Sequence, residues 1–155
     1  MPLEIERKFL VDKEKWNALS KPDGVPFRQS YMLRNEDKAI RIRLTPTHGF
    51  LTIKGNNKGA TRDEFEYEIP LNDARQLMEN FCEGEVAKLR YFIEYEGKMW
   101  EVDVFSGKNE GLIVAEIELK DESETFIKPD WIAEEVTYDA RYLNSNLSLI
   151  PYMEW

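Results

Sequence analysis

Several segments of the chain carry charged residues two apart, with apolar residues between and around them. Glu4, Glu6 and Lys8 alternate with Ile5 and Arg7, and Arg41 and Arg43 alternate with Ile40, Ile42 and Leu44. The pattern returns at Arg62, Glu64 and Glu66, at Lys88 and Arg90, at Glu101 and Asp103, and at Glu116 and Glu118. A strand sends alternate side chains to opposite faces, so each set projects from one side of its strand. One sheet face then holds dense charge of both signs and the other is largely apolar. Cations bind phosphate and paired carboxylates bind hard metal ions, so such a face suits a metal-bound polyphosphate.

An antiparallel sheet with one wet face alternates in the same way, and that is the commoner cause of the pattern. Two details favour a ligand. A wet face mixes Ser, Thr, Asn and Gln with its charges, whereas here same-face neighbours are often like-charged. Like charges on one strand face repel, so they need a counter-ion, opposite charges across the sheet, or a ligand. The pattern also recurs in most of the predicted strands.

The length of 155 residues reads as a single domain, 1–155, able to bury roughly two-thirds of its unfolded surface without staples. A formal net charge of −9 argues against a general nucleic-acid or anionic-membrane surface. An anionic ligand fits only if the cations are concentrated inside a cavity. The single Cys82 rules out an internal disulfide and a Cys-based zinc cluster, and its place after Phe81 suggests core packing. No apolar run approaches membrane-spanning length, and Pro2-Leu3-Glu4 leads straight into a charged strand with no signal peptide visible. The reading is a soluble cytoplasmic protein.

Strands are expected over 3–11, 27–34, 39–44, 50–54, 62–69, 86–95, 98–105 and 112–120, with a hairpin about Glu96-Gly97. Short helices are expected over 12–19, capped by Asp12, and over 73–82, capped by Asn72, with Leu77, Met78 and Phe81 at helical spacing. Two more are expected over 121–126 and 139–149. In the last, Thr137 is a candidate cap, and Leu143, Leu147 and Ile150 should dock one side. Few helices among so many strands suggest an all-β-dominated α+β chain, an antiparallel barrel or strongly curved sheet with peripheral helices. If the charged face points into a lumen, then Ile5, Ile42, Ile53, Phe65, Leu89, Val102, Val104, Ile117 and Leu119 face outward and the few helices must cover them. Outward Tyr67 and Tyr91 would then stay partly exposed or serve a homodimer contact. Glu36, Asp37 and Lys38 fall in a turn, and His48, the sole histidine, reads as an exposed loop residue.

The run Glu4-Ile5-Glu6-Arg7-Lys8-Phe9-Leu10 resembles the Glu-x-Glu-x-Lys signature of the CYTH superfamily, the triphosphate tunnel metalloenzymes. The likeness continues in order through Gln29-Ser30-Tyr31, Arg41-x-Arg43, Thr52-Ile53-Lys54, Arg62-x-Glu64-x-Glu66 and Lys88-Leu89-Arg90-Tyr91. It ends with Glu101-Val102-Asp103-Val104-Phe105, Glu116-Ile117-Glu118, Glu134-Glu135-Val136-Thr137 and Asp139-x-Arg141-Tyr142-x-Asn144. The order and spacing are similar to those of the short bacterial inorganic triphosphatases of that family. The resemblance implies an eight-stranded antiparallel tunnel that binds triphosphate with Mg²⁺ or Mn²⁺. Under it, Glu4, Glu6, Glu116 and Glu118 match metal carboxylates. Glu64, Glu66, Glu101 and Asp103 match either further metal ligands or partners of the arginines. Lys8, Arg41, Arg43, Lys54, Arg62, Lys88 and Arg90 would grip phosphates, and Tyr31 with Lys88 match a dyad proposed to handle the attacking water. Arg141 or Tyr142 could reach a bound phosphate from a helix at the open side of the tunnel, unless that helix only covers barrel surface.

The expected activity is metal-dependent hydrolysis of a phosphoanhydride in tripolyphosphate, a nucleoside triphosphate or thiamine triphosphate. A class IV-type adenylate cyclase and a non-catalytic polyphosphate-binding module remain as alternatives.

Overall fold

The computed structural model describes residues 3–155; Pro2 lies outside them. Alternating segments form β1 (Leu3–Val11), β2 (Val25–Arg34), β3 (Lys38–Leu44), β4 (Gly49–Gly55), β5 (Thr61–Ile69), β6 (Glu83–Tyr95), β7 (Lys98–Phe105) and β8 (Ile113–Glu118). These run antiparallel in the order β5-β4-β3-β2-β6-β7-β8-β1, and β1 closes the barrel on β5. Closure divides β1. Leu3, Glu4 and Ile5 lie opposite Asp63, Arg62 and Thr61 of β5, whereas Glu6 to Leu10 lie opposite Glu118 to Val114 of β8. A ninth strand, β9 (Ile132–Glu135), takes the edge of β1 beyond β5, with Phe9 opposite Glu135. The sequence reading missed β9.

The register sets the charged residues side by side on the inner face. Arg90 lies opposite Asp103, Lys54 opposite Glu64, Glu101 opposite Glu116, and Lys8 opposite Glu116 from the other side. The main hydrophobic core is therefore outside the barrel. Trp100, Phe9, Val102, Ala115 and Ile117 are fully buried on the outer face, packed with Trp16 and Trp131. Their rings meet edge-on, with centroids 5.7 Å apart for Phe9–Trp100 and 5.5 Å for Trp16–Trp131.

The cover differs from expectation. Helix α1 (Lys13–Ala18), capped as expected by Asp12 accepting from Lys15 N, supplies Trp16. No helix forms over 121–126; an Asp121 turn accepting from Ser123 N replaces it, and Phe126 packs edge-on against Trp100. An irregular connector thus covers what helices were expected to cover. Tyr91 packs on Trp16, while Tyr67 is exposed.

A second outer patch, Ile42 and Leu44, lies under Ala74 and Met78 of α2 (Leu71–Phe81), with Cys82 at its margin. A Cβ on Gly49 would meet Ala74 Cβ at 2.4 Å, so only glycine lets this helix lie so close. Asn72 does not cap α2, because the helix starts earlier, with Pro70 in the cap position, and Phe81 turns to solvent.

The third cluster closes one end of the lumen. Val86, Phe105 and Val114 share the inner face with Lys88, Asp103 and Glu116, and pack against Val136, Tyr142 and Leu147 of the C-terminal segment. That segment is not one helix over 139–149 but a 3₁₀ turn (Ala140–Tyr142) followed by α3 (Asn144–Leu149), with Leu143 extended between them. Asp139, not Thr137, caps the turn, and Ile150 is exposed. Thr137 Oγ1 instead accepts from Lys8 N, 3.0 Å away.

Candidate functional site

The inner face encloses a cavity of about 420 Å³, within the ~300–1,000 Å³ usual for small-molecule sites. Its walls bring together Glu4, Glu6, Glu64, Glu66, Glu101, Glu116 and Glu118 with Arg41, Arg43, Lys54, Arg62, Arg90 and Tyr31. Lys8, Lys88 and Asp103 stand one contact behind this lining, buried and bonded to one another or to it.

Arg141 and Tyr142 are the exceptions. Arg141 is solvent-exposed and held by Asp139 at 2.7 Å, and Tyr142 is buried edge-on against Trp155 in the end plug. Neither lines the cavity. The first residues of α3 do so instead: Asn144 and Ser145 line it, and Asn144 Oδ1 accepts from Lys88 Nζ at 3.1 Å. Sequence reasoning also missed Phe27, Phe50 and Phe92 in the lining. Strand parity could have found them, since Phe27 shares a face with Tyr31, Phe50 with Lys54, and Phe92 with Arg90.

The β6–β7 wall is tightly paired. Arg90 grips Asp103 through Nε at 2.7 Å and Nη2 at 2.9 Å, and reaches Glu101 through Nη1 at 2.5 Å. Lys88 Nζ meets the same Asp103 at 2.7 Å. Burial would raise the Asp103 carboxyl, but Arg90 and Lys88 hold it well below the usual range. Burial pushes the Lys88 ammonium down to about 7, with Arg90 and Arg43 adding to the effect and Asp103 opposing it. Burial is the larger cause, and the cationic neighbours act in the same direction.

Near β5, Glu4 accepts from Lys54 Nζ at 3.1 Å and from Arg62 Nε at 3.1 Å. Against burial, these cations hold its carboxyl far below the ordinary value. Glu64 also meets Lys54 at 3.1 Å, yet burial and a hydrogen bond shared with Glu4 push it up to about 7. Arg41 Nη2 reaches Thr52 Oγ1 at 3.2 Å and Glu66 at 3.8 Å, while its Nε is buried without an acceptor among the described residues.

The β1–β8 wall is loose and rich in anions. Lys8 Nζ stands 3.6 Å from Glu6 and 3.7 Å from Glu116. Burial, then Glu116 and Glu4, push Glu6 up to about 8; burial, then Glu4 and Glu101, raise Glu118. Among the described residues, no three carboxylate, histidine or cysteine side chains are gathered into a finished metal shell. The donors still fit a hard divalent cation by their chemistry: all are oxygen, Glu6 faces Glu118 across the strands, and the raised carboxyls mark anions short of a partner cation. Tyr31 and Lys88 have different partners, Tyr31 OH accepting from Gln29 Nε2 at 3.4 Å.

The CYTH domain profile matches residues 2–151. An inorganic triphosphatase of Acetivibrio thermocellus is 51% identical over 153 residues, covering 98% of this chain and 97% of that protein. One of Nitrosomonas europaea is 37% identical over 154 residues, covering 94% and 97%. The crystal structure of an inorganic triphosphatase superposes with a TM-score of 0.64 at 35% identity, covering 96% of each chain. With the closed barrel, its charged lumen and a profile spanning nearly the whole sequence, the chain belongs to the CYTH domain family.

Proposed function

We propose that the tunnel hydrolyses a terminal phosphoanhydride bond of a triphosphate, with inorganic tripolyphosphate as the first substrate to test. The observation that carries this reading is a cavity lined by five cations, in which Arg41 Nε has no acceptor among the described residues. Buried N–H groups of this kind want an anion, and arginine forks suit phosphate oxygens. The two inorganic triphosphatases of high identity support the same substrate class.

Arg41, Arg43, Lys54, Arg62 and Arg90 hold the phosphate chain in line and neutralise its charge. Glu6, Glu116 and Glu118 would hold Mg²⁺ or Mn²⁺, with Glu101 opposite Glu116. When bound, such an ion adds Lewis-acid charge neutralisation at phosphate oxygens. Glu4, Glu64 and Asp103 are held at 2.7–3.1 Å by Lys54, Arg62, Arg90 and Lys88, so we assign them to orienting cations rather than to a metal, whereas Glu66, 3.8 Å from Arg41, suits either role. Tyr31, lining the cavity, orients the attacking water. Lys88 Nζ stands one contact behind the lining beside Asn144, which touches both Lys88 and the cavity, and we assign it as the eventual acceptor of that water's proton.

The decisive experiment measures orthophosphate release from tripolyphosphate, ATP and thiamine triphosphate with Mg²⁺ or Mn²⁺, alongside cyclic AMP formation and calorimetric binding. Metal-dependent phosphate release is expected. Cyclic AMP without phosphate release would mean a cyclase, and tight binding without turnover would mean a binding module.

A further inference from the structure

Four guanidiniums line the lumen, and three of them face carboxylates. Arg62 has Glu4, Arg41 has Glu66, and Arg90 has Asp103 and Glu101. Arg43 differs: no carboxylate among the described residues comes within ion-pair distance. Its acceptor is a neutral amide, Gln29 Oε1, which takes Arg43 Nε at 3.2 Å and Nη2 at 3.1 Å. Gln29 lies directly opposite Arg43 in the β2–β3 register and is fully buried. Phe27, two residues earlier on the same face, places its ring centroid 4.9 Å from the Arg43 guanidinium carbon, a cation–π distance.

We propose that Gln29 is a positioning residue, which with Phe27 fixes Arg43 while leaving its charge uncompensated for the phosphate chain. A neutral acceptor orients the fork without cancelling it, whereas a carboxylate there would close the ion pair and compete with phosphate. Burial, with Arg41 and Arg90 near, pushes the Arg43 guanidinium down to about 9, as expected of a buried cation lacking a counter-charge. The inference rests on the triphosphate reading above.

The test is tripolyphosphate binding by calorimetry to wild type, Gln29→Leu, Gln29→Glu, Arg43→Ala and the Gln29→Leu/Arg43→Ala double variant, each with its ligand-free melting temperature. Gln29→Leu should weaken binding about tenfold in the wild-type background and change it little once Arg43 is gone, the non-additivity of coupled neighbours. Gln29→Glu keeps the shape. It should weaken binding at least as much while raising the melting point of the ligand-free protein, a combination that a purely structural role would not produce. Unchanged affinity in Gln29→Glu, or an equal loss from Gln29→Leu with and without Arg43, would overturn the proposal. If Gln29→Leu fails to fold, Gln29→Glu decides alone. If wild type does not bind tripolyphosphate, the proposed function fails. The direction of the Gln29→Glu melting shift then still decides the contact, a rise supporting it and a fall overturning it.

Discussion

The two walls of the lumen handle the same kinds of charge in opposite ways. Along β6 and β7, Lys88, Arg90, Glu101 and Asp103 close ion pairs at 2.5–2.9 Å, and Asp103 is shared by both cations. Along β1 and β8, Lys8 stands 3.6–3.7 Å from its two carboxylates, and burial and mutual repulsion raise Glu6 and Glu118. A buried charge is tolerated when it is paired. The first wall meets that condition from within the chain; the second meets it for Glu116, which Lys8, Arg90 and Lys88 hold low, but not for Glu6 and Glu118.

The largest expected effect breaks the loose wall. Glu118→Gln or Glu6→Gln removes a hard anionic donor at nearly constant volume, and Lewis-acid stabilisation is worth several kcal/mol, about a thousandfold in rate. Metal-dependent phosphate release should fall by that order, with circular dichroism unchanged. Full turnover at low Mg²⁺ would place the cation elsewhere.

Asp103→Asn attacks the tight wall and should act on stability. Breaking a buried pair costs about 3–5 kcal/mol, here leaving Lys88 and Arg90 short of a shared anion. A calorimetric melt showing little change would mean the tight pairing is not structural.

Within the bound state, Lys88→Ala should lower turnover by about 10²-fold or more, as loss of a general base does, with little change in affinity. Arg43→Ala should mainly weaken binding. Single-turnover rates and calorimetric affinities separate them. Equal losses in both parameters for both variants would make Lys88 another phosphate clamp.

A smaller effect is expected in the pH dependence of the empty, chelated protein. Glu6 in the fold is raised from 4.5 to about 8. Its stabilising contribution is therefore complete below the ordinary carboxylate range and is lost as pH rises through about 8. The melting temperature should decline between those limits, and Glu6→Gln should flatten the decline.

The smallest effect lies off both walls. Arg141→Ala should change tripolyphosphate affinity little, surface substitutions usually staying within about 0.5 kcal/mol, because Arg141 is exposed and paired with Asp139. A clear loss would restore the reach to phosphate expected from the family pattern.

Most of the inner face was legible in the sequence because strand parity is a local rule. Once residues 3–11 and 86–95 are extended, Glu4, Glu6, Lys8, Lys88 and Arg90 fall on one side whatever the rest of the chain does. The failures come from contacts between distant segments. An acidic run at 121–126 looks helical by itself, but Phe126 has buried aromatic surface to cover at Phe9 and Trp100, and the segment forms a turn followed by irregular chain instead. Residues 132–135 are a strand because the edge of β1 beyond β5 is open to them.

Which charges meet was also a tertiary decision. The sequence by itself determined alternation, and hence a face dense in carboxylates and cations, because side-chain direction in a strand follows from backbone geometry alone. Only closure of β1 onto β5, and the register across β6–β8, decided that Asp103 joins Lys88 and Arg90 while Glu6 faces Glu118. Only the packing of Leu147 onto Val86 and Phe105 brought Asn144 to Lys88, with Arg141 left in solvent. Register and docking depend on the sum of many long-range contacts, and no local stretch of residues contains that sum.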